Sequence, residues 1–419
     1  MEKQNKVVFF AESPWQEEYN SGVGRAMEVD RKGLEERGWK VCAVFPKSNK
    51  PVGENEFRID SIRTSLSADP YYLAIIPELA PAEYKRLLEW LKEINPDILY
   101  LQGTHSVTDY GYRAGKELGI PVVVRIHTFD KYYIWTAGQN LLHLPLIPLK
   151  ATLSYLQTKR STRITMGADL SFFPTEWYFE RYCQDTGHDL GHSRSIVLPN
   201  LVPEVEIATP SQLDEMHYSL IGRRSSSAKD NFPLILSGVR VTSVKNLEFL
   251  IFMMAEIEKL LADSAWPFIH PWLVFTGKCD PKYVLKMKRI AKEKGIERWI
   301  NFTDELSHEL AMTAMQCARI APIPSFSETR CFVFDEARLC RTLPLVMEGT
   351  AMAESADPAQ ILPDNPKTWA EYILKLLSDV DAYQSLVESG YDRARQQAIP
   401  EIYFNRLEAY FESLIKLKN

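Results

Sequence analysis

Short apolar runs alternate with helical periods along nearly the whole chain, and this rhythm constrains the fold more than any other feature. Lys6-Val-Val-Phe-Phe-Ala, Val41-Cys-Ala-Val-Phe-Pro, Asp97-Ile-Leu-Tyr-Leu-Gln and Ile120-Pro-Val-Val-Val-Arg-Ile-His read as buried strands. Helical spacing fills the gaps: from Arg25, with Met27, Val29 and Leu34 apolar and Gly38 as the stop, then over Pro81–Ile94 and around Tyr110–Leu118. Ala168-Asp-Leu-Ser-Phe-Phe then leads into a helix over Tyr178–Asp185. The pattern resumes with strands at Leu234–Ser237, Trp272–Thr276, Ile300–Phe302, Ile320–Pro324 and Leu343–Met347. Helices are expected between them at Asn246–Leu261, Lys282–Lys294, Ser307–Cys317 and Phe332–Leu339, then at Lys367–Leu377 and Pro400–Leu417. Strands that alternate with helices in this way form parallel, doubly wound sheets.

A chain of 419 residues is long enough for two such domains. Apolar periodicity lapses from Val202 to Asn231, where Arg223-Arg-Ser-Ser-Ser-Ala-Lys-Asp-Asn is polar and small, and the interdomain linker is expected there. The formal charge of −6 gives no cationic excess to meet a phosphate backbone, so a nucleic-acid partner is not expected. Cys42, Cys183, Cys279, Cys317, Cys331 and Cys340 form no C-x-x-C pair and read as reduced thiols of a cytoplasmic protein. Met1-Glu-Lys-Gln-Asn-Lys runs straight into a strand, so no signal peptide is expected, and no apolar run is long enough for a transmembrane helix.

The chemistry concentrates in the unit Phe326–Met347, where Glu328 lies in a loop and Glu336 inside the helix that follows. They bracket a helix N-terminus, whose free N–H groups and dipole favour an anion such as a nucleoside diphosphate. The carboxylates would accept hydrogen bonds from sugar and ribose hydroxyls, although two Glu at this spacing also occur by chance. Upstream, the loop after Leu234–Ser237 carries Arg240 and Lys245, a guanidinium fork and a point charge suited to a diphosphate. Gly22 and Gly24 open the first helix of a β-α-β unit, but the third glycine of a dinucleotide fingerprint is absent and the preceding loop is too long for it. His127 stands at the carboxyl end of a central strand, and His105 has a similar place. His188 and His192 have helical metal-pair spacing, but Gly187 and Gly191 argue against a helix and no metal site is expected. The segment 132–163 is the least polar loop-like region, with Lys159, Arg160 and Arg163 at its end. It reads as a helix packed on its own domain or, more sharply, as a peripheral membrane contact.

The Glu328/Glu336 pair and the Arg240/Lys245 loop together resemble the C-terminal domain of the retaining GT-B glycosyltransferases, family four in particular, whose E-x7-E pair and Arg-x4-Lys loop they match. The resemblance implies two Rossmann-like domains facing across a cleft: residues 1–203 on the acceptor side and 204–399 for the nucleotide sugar, with the last helix, 400–419, packed back on the first. It implies transfer of a sugar from a nucleotide-diphosphate donor, UDP-linked before GDP-linked, to a glycan, lipid-linked or small-molecule hydroxyl, as in surface polysaccharide synthesis. Neither metal nor other cofactor is expected, and the enzyme would be cytoplasmic, in the peripheral case at the inner membrane face. Arg240, Lys245 and backbone around Cys331 and Phe332 would hold the diphosphate. Glu328 would hold the sugar and Glu336 the ribose; His127 would contact the sugar, and Gly22 and Gly24 would let backbone approach the phosphates. Where the family commonly has Gly-Phe-Gly, this chain has Thr329-Arg330-Cys331, which implies an altered donor, such as an acidic sugar, or lost activity. A non-catalytic scaffold or partner subunit and a nucleotide-sugar epimerase are the competing readings.

Overall fold

The computed structural model describes residues 4–12, 22–46, 52–59, 81–127, 147–222, 233–262, 270–303, 305–326 and 328–418. The chain divides into two compact units, residues 1–201 with 399–419, and residues 202–398. The first is built on seven parallel strands: β1 (Lys6–Phe10), β2 (Lys40–Pro46), β3 (Glu56–Ile59), β4 (Ile98–Gln102), β5 (Val122–Arg125), β6 (Leu170–Phe173) and β7 (Ser195–Val197). Their order is β3-β2-β1-β4-β5-β6-β7. Helices α1 (Gly22–Glu36), α2 (Pro81–Ile94), α3 (Ser106–Leu118), α4 (Ile147–Gly167) and α5 (Glu176–Thr186) connect them. The order reverses between β1 and β4, and the carboxyl ends of strands beside such a switch point are where doubly wound sheets bind ligands.

The second unit opens with α6 (Pro210–Ile221) and holds six parallel strands: β8 (Leu234–Ser237), β9 (Trp272–Phe275), β10 (Ile300–Phe302), β11 (Ile320–Ile323), β12 (Leu343–Met347) and β13 (Ile361–Leu362). Their order is β10-β9-β8-β11-β12-β13, so the switch point lies between β8 and β11. The accompanying helices are α7 (Glu248–Ala262), α8 (Pro281–Glu293), α9 (His308–Cys317), α10 (Phe332–Leu339), α11 (Pro366–Ser378) and α12 (Val380–Gln397). The final helix, α13 (Pro400–Lys418), belongs to the first unit.

The stretch Val202–Asn231, where the interdomain linker and the entry to the second domain are expected, carries the helix α6. Its start is set by a capping box: Thr209 Oγ1 accepts from the Gln212 N–H, and Gln212 Oε1 accepts from the Thr209 N–H at 2.8 Å. Met216, His217, Leu220 and Ile221 are buried, and Gln316 on α9 binds the Ala208 N–H and the Glu206 carbonyl. The buried face carries His217 among its apolar positions, which obscures the helical period in the sequence. The polar run Arg223–Asn231 lies outside the described residues.

One polar cluster is sealed inside the first unit. Arg125 (1% exposed), the last residue of β5, donates to the Tyr100 hydroxyl, to the Tyr403 hydroxyl at 2.7 Å and to Asn200 Oδ1 at 2.7 Å. Both tyrosine hydroxyls donate onward to Asp30 on α1, Tyr100 at 2.9 Å and Tyr403 at 2.5 Å. Each hydroxyl therefore donates once and accepts once, and the buried guanidinium faces a buried carboxylate. The cluster ties α1, β4 and β5 to Asn200, just before the chain leaves the unit, and to Tyr403, just after it returns. The ring of Phe404 lies so close on Gly33 of α1 that a Cβ there would meet it at 1.9 Å.

Tyr403→Phe removes one hydrogen bond from each buried charge. It is expected to cost the first unit about 2–3 kcal/mol in urea unfolding, with Phe packing retained. A loss well under 1 kcal/mol would mean that α13 is held by its apolar face alone.

Candidate functional site

In the second unit, the loop after β8 and the loop after β11 flank the switch point, and side chains 83 positions apart meet there. Lys245 closes a single 3-10 turn, Ser243–Lys245, and Asn246 follows in the left-handed region with φ 54°. Asparagine tolerates that conformation better than most residues, and the reversal leads into α7. The Asn246 amide donates to the Pro324 carbonyl at 3.2 Å and fastens the two loops together. Lys245 Nζ then donates to Glu328 Oε1 at 2.5 Å, with both side chains largely buried. The loop bearing Arg240, which is half-buried, is also tied to the loop after β9: the Val241 N–H donates to the Lys278 carbonyl and the Asp280 N–H to the Val241 carbonyl. Gly277 lets the backbones approach this closely, since a Cβ there would lie 2.1 Å from the Val239 carbonyl oxygen.

Glu328 leads to the N-terminus of α10, where Cys331 is the residue before the first turn and its side chain caps no N–H. Burial pushes the Cys331 thiol well above its ordinary value; the Glu328 carboxylate adds to this, Lys245 opposes it, and Glu336 adds a smaller push. Glu328, Lys245 and Glu336 therefore act on one point at the start of α10, and the thiol there stays protonated. Glu336 is buried. An anion arriving at this point would meet the start of a helix and the ammonium group of Lys245, which is paired with Glu328.

Arg330 and Phe332 both have side-chain neighbours within the unit. Arg330 forms an ion pair with Asp335 at 2.8 Å and also donates to Gln397 at 3.2 Å, so its charge is balanced within the unit. Phe332 packs its ring beside Val202, Leu339 and Ala394, which leaves the start of its helix rather than its side chain for a ligand.

The remaining candidates belong to the first unit. Gly22 and Gly24 fall in the first turn of α1, so the helix begins three residues before Arg25, and Gly24 is buried. His127 lies two residues past β5, buried, with Nε2 2.8 Å from Gln102 Oε1 at the end of β4. Burial pushes the imidazole down to about 3, helped by Arg125 and then His105, so it is neutral at physiological pH. His105 immediately precedes α3. Glu12, just past β1, accepts from the Val107 N–H at 2.6 Å and from the Ser106 hydroxyl, and so fills the N-terminus of α3 with a carboxylate of the chain itself. Glu12 and Gln102 are missed by a search for motifs; their signal is position, as polar residues closing apolar strands beside a switch point.

The apolar segment proves partly helical: α4 buries Gln157, Arg160, Ser161 and Ile164, and exposes Tyr155 (65%), Leu156 (48%) and Lys159. Residues 128–146 lie outside the described residues. Among the described residues no group of three or more His, Cys, Asp or Glu is placed to hold a metal ion, and no helix is long and apolar enough to cross a membrane.

The profile of Glycosyltransferase Family 4 matches residues 21–166, and that of Glycosyl transferases group 1 matches residues 221–393. No curated protein matches the sequence. Among solved structures, sucrose-phosphate synthase from Thermosynechococcus elongatus superposes with a TM-score of 0.75 at 15% identity, over 99% of this chain and 100% of that one. HepE of Anabaena, in complex with UDP and glucose, gives 0.71 at 13% identity over 98% and 100%. The α,α-trehalose-phosphate synthase (UDP-forming) of Burkholderia xenovorans, in complex with glucose-6-phosphate, gives 0.59 at 12% over 98% and 100%. At such identities the likeness speaks for the fold.

The His127 environment has a pH signature. An exposed histidine of the unfolded chain takes up its proton near pH 6.5, whereas His127 does so only near 3. Between those values the unfolded state binds more protons, so this contribution to stability is lost as pH falls from about 6.5 towards 3. His127→Gln is expected to flatten that limb of a urea-midpoint profile taken from pH 7 to 4. Parallel profiles for the two proteins would show that His127 is not the group responsible.

Proposed function

The chain belongs to the GT-B glycosyltransferases, family four, and on that premise we propose that it moves a sugar from a nucleoside diphosphate to an acceptor hydroxyl with retention at the anomeric carbon. The Lys245–Glu328 contact at the start of α10 carries the reading. A diphosphate is a stronger partner for Lys245 than one carboxylate, because it brings more negative charge and can be shared with Arg240 and the first N–H groups of α10. Its arrival would free Glu328 to accept hydrogen bonds from hydroxyls of the donor sugar, while Glu336 takes the ribose. Charge that grows on the leaving diphosphate would be met by groups already in place, and removing one such donor typically costs about 3–4 kcal/mol of barrier. Arg240 and Lys245 would fill the role of a metal ion, so activity is expected without one.

With Arg330 held by Asp335, a neutral donor sugar is favoured over an acidic one. A UDP-sugar is favoured over a GDP-sugar, in line with UDP in the HepE complex. The acceptor would be a glycan, a lipid-linked sugar or a small molecule, in surface polysaccharide or glycoconjugate synthesis in the cytoplasm. An acceptor at the inner membrane face would meet Tyr155, Leu156 and Lys159 on the outer side of α4.

A thermal-shift panel of UDP, GDP, ADP and TDP, with and without EDTA, tests the reading. One nucleotide is expected to raise the melting temperature regardless of EDTA; no response to any of them would move the chain to a non-catalytic scaffold. Lys245→Ala and Glu336→Ala are each expected to weaken that nucleotide roughly tenfold or more by calorimetry, since a hydrogen bond to a charged group contributes about 1.5–3 kcal/mol. Unchanged affinity in both would remove the site from α10.

A further inference from the structure

In the first unit, β4 and β5 lie side by side in parallel register, with Leu101 opposite Val124 and Gln102 opposite Arg125. Alternation along the strands puts Tyr100 and Gln102 on the same face as Arg125. Gly103 turns the chain out of β4 with φ 112°, a conformation that any side chain would disfavour, so Gln102 is the last side chain of its strand. There it meets His127, two residues past the end of β5: Gln102 Oε1 stands 2.8 Å from His127 Nε2, and both residues are buried. Among the described residues this is the one hydrogen bond that the Gln102 side chain makes. Burying an amide for a single hydrogen bond is costly, so the contact with His127 is what sets Gln102 apart from an apolar residue of the same size.

An amide oxygen has lone pairs and no proton, so it can only accept. The imidazole nitrogen that faces it at this distance is therefore the one that carries the hydrogen. A neutral ring has a single N–H, and once that is given to Gln102, Nδ1 holds a lone pair. The surroundings withhold a second proton. The Arg125 guanidinium, fixed by Tyr100, Tyr403 and Asn200, stands on the same face. The His105 ring lies against the turn, where a Cβ on Gly103 would be 3.3 Å from its Cδ2. Burial first, then Arg125 and His105, disfavour an imidazolium at His127. Histidines at metal and catalytic sites are oriented in the same manner, by an acceptor that takes the hydrogen of one ring nitrogen and so decides the state of the other.

We propose that Gln102 is a positioning residue: it holds His127 as the Nε2–H tautomer, so that towards any ligand that reaches it the ring can only accept a hydrogen bond. Such a ring favours a hydroxyl, which has a proton to give, over an ionised phosphate or carboxylate oxygen, which has none. The consequence for a ligand rests on the sugar contact that the family resemblance implies for His127. The tautomer does not, and it is measured on the protein without any ligand, so the two can fail separately.

The test is nitrogen-15 NMR of the full chain labelled in its histidine rings, with the His127 signals identified by their loss in His127→Gln. Wild type at neutral pH is expected to show a protonated, solvent-protected nitrogen at ε2 and a lone-pair nitrogen at δ1. Gln102→Met keeps the length of the side chain and removes the acceptor; both nitrogens are expected to move towards the averaged values of a ring that exchanges tautomers. Gln102→Glu restores an acceptor and adds a charge. It is expected to keep the ε2 proton and to raise the pH at which His127 takes up a second proton, near 3 in wild type, by about 1–3. A proton on Nδ1 in wild type would mean that the amide turns its NH2 group to the ring, and would overturn the proposal. A tautomer indifferent to Gln102→Met, or a proton uptake indifferent to Gln102→Glu, would overturn it as well.

Discussion

The buried guanidinium of Arg125 fixes how the first unit is closed. Moved out of water, such a charge is tolerated only where its donors are satisfied and an opposite charge is near. Here Tyr100, Tyr403 and Asn200 take the donors, and Asp30 supplies the charge through the two hydroxyls. Two of these partners, Asn200 and Tyr403, lie where the chain leaves the unit and where it comes back, so one side chain determines how both passages are held. The apolar faces of α13, with Phe404, Leu407 and Phe411 among Met27, Leu34 and Trp39, supply the burial. Such burial is non-directional; the polar cluster sets which residues meet. Arg125 also lies two positions before His127 and, after burial, helps keep that imidazole uncharged, so closure and the protonation of His127 share a residue.

The second unit solves a related problem at its switch point. Lys245 and Glu328 are held by different loops, and each is too buried to be left without a partner. Their contact keeps both charges satisfied, in an arrangement that a more highly charged ligand could exchange. A few residues away, Arg330, Arg338 and Asp335 meet with an excess of cations. Charged side chains thus gather at two places around α10: Lys245 and Glu328 ahead of its start, and Arg338 on the side packed against α12.

The sheets were legible in the sequence because parallel strands are buried on both faces and read as unbroken apolar runs. β12 at Leu343–Met347 and α10 at Phe332–Leu339 fall where the spacing put them. β13, with only two residues, is too short to leave a pattern. The helix α6 was missed because its apolar face is narrow and includes His217, although Thr209-Pro210-Ser211-Gln212 carried its start signal. The candidates Glu328, Arg240 and Lys245 drew notice because they stand in loops after predicted strands, and Glu336 because it lies inside the helix that follows. Glu12 and Gln102 were not, because a carboxylate or amide at a strand end has no periodicity of its own.

What the sequence determined by itself was the alternation of strands and helices, and so two doubly wound parallel sheets. These follow from local propensity and burial, which act over a few neighbouring residues. What only the tertiary structure decided was which charges meet. Arg330 could face a ligand or Asp335, and His127 could be an acid or a neutral partner; both outcomes depend on neighbours brought together from other elements and on how much water remains around them. Charge pairing and desolvation are properties of the packed chain, and no spacing along the sequence encodes them.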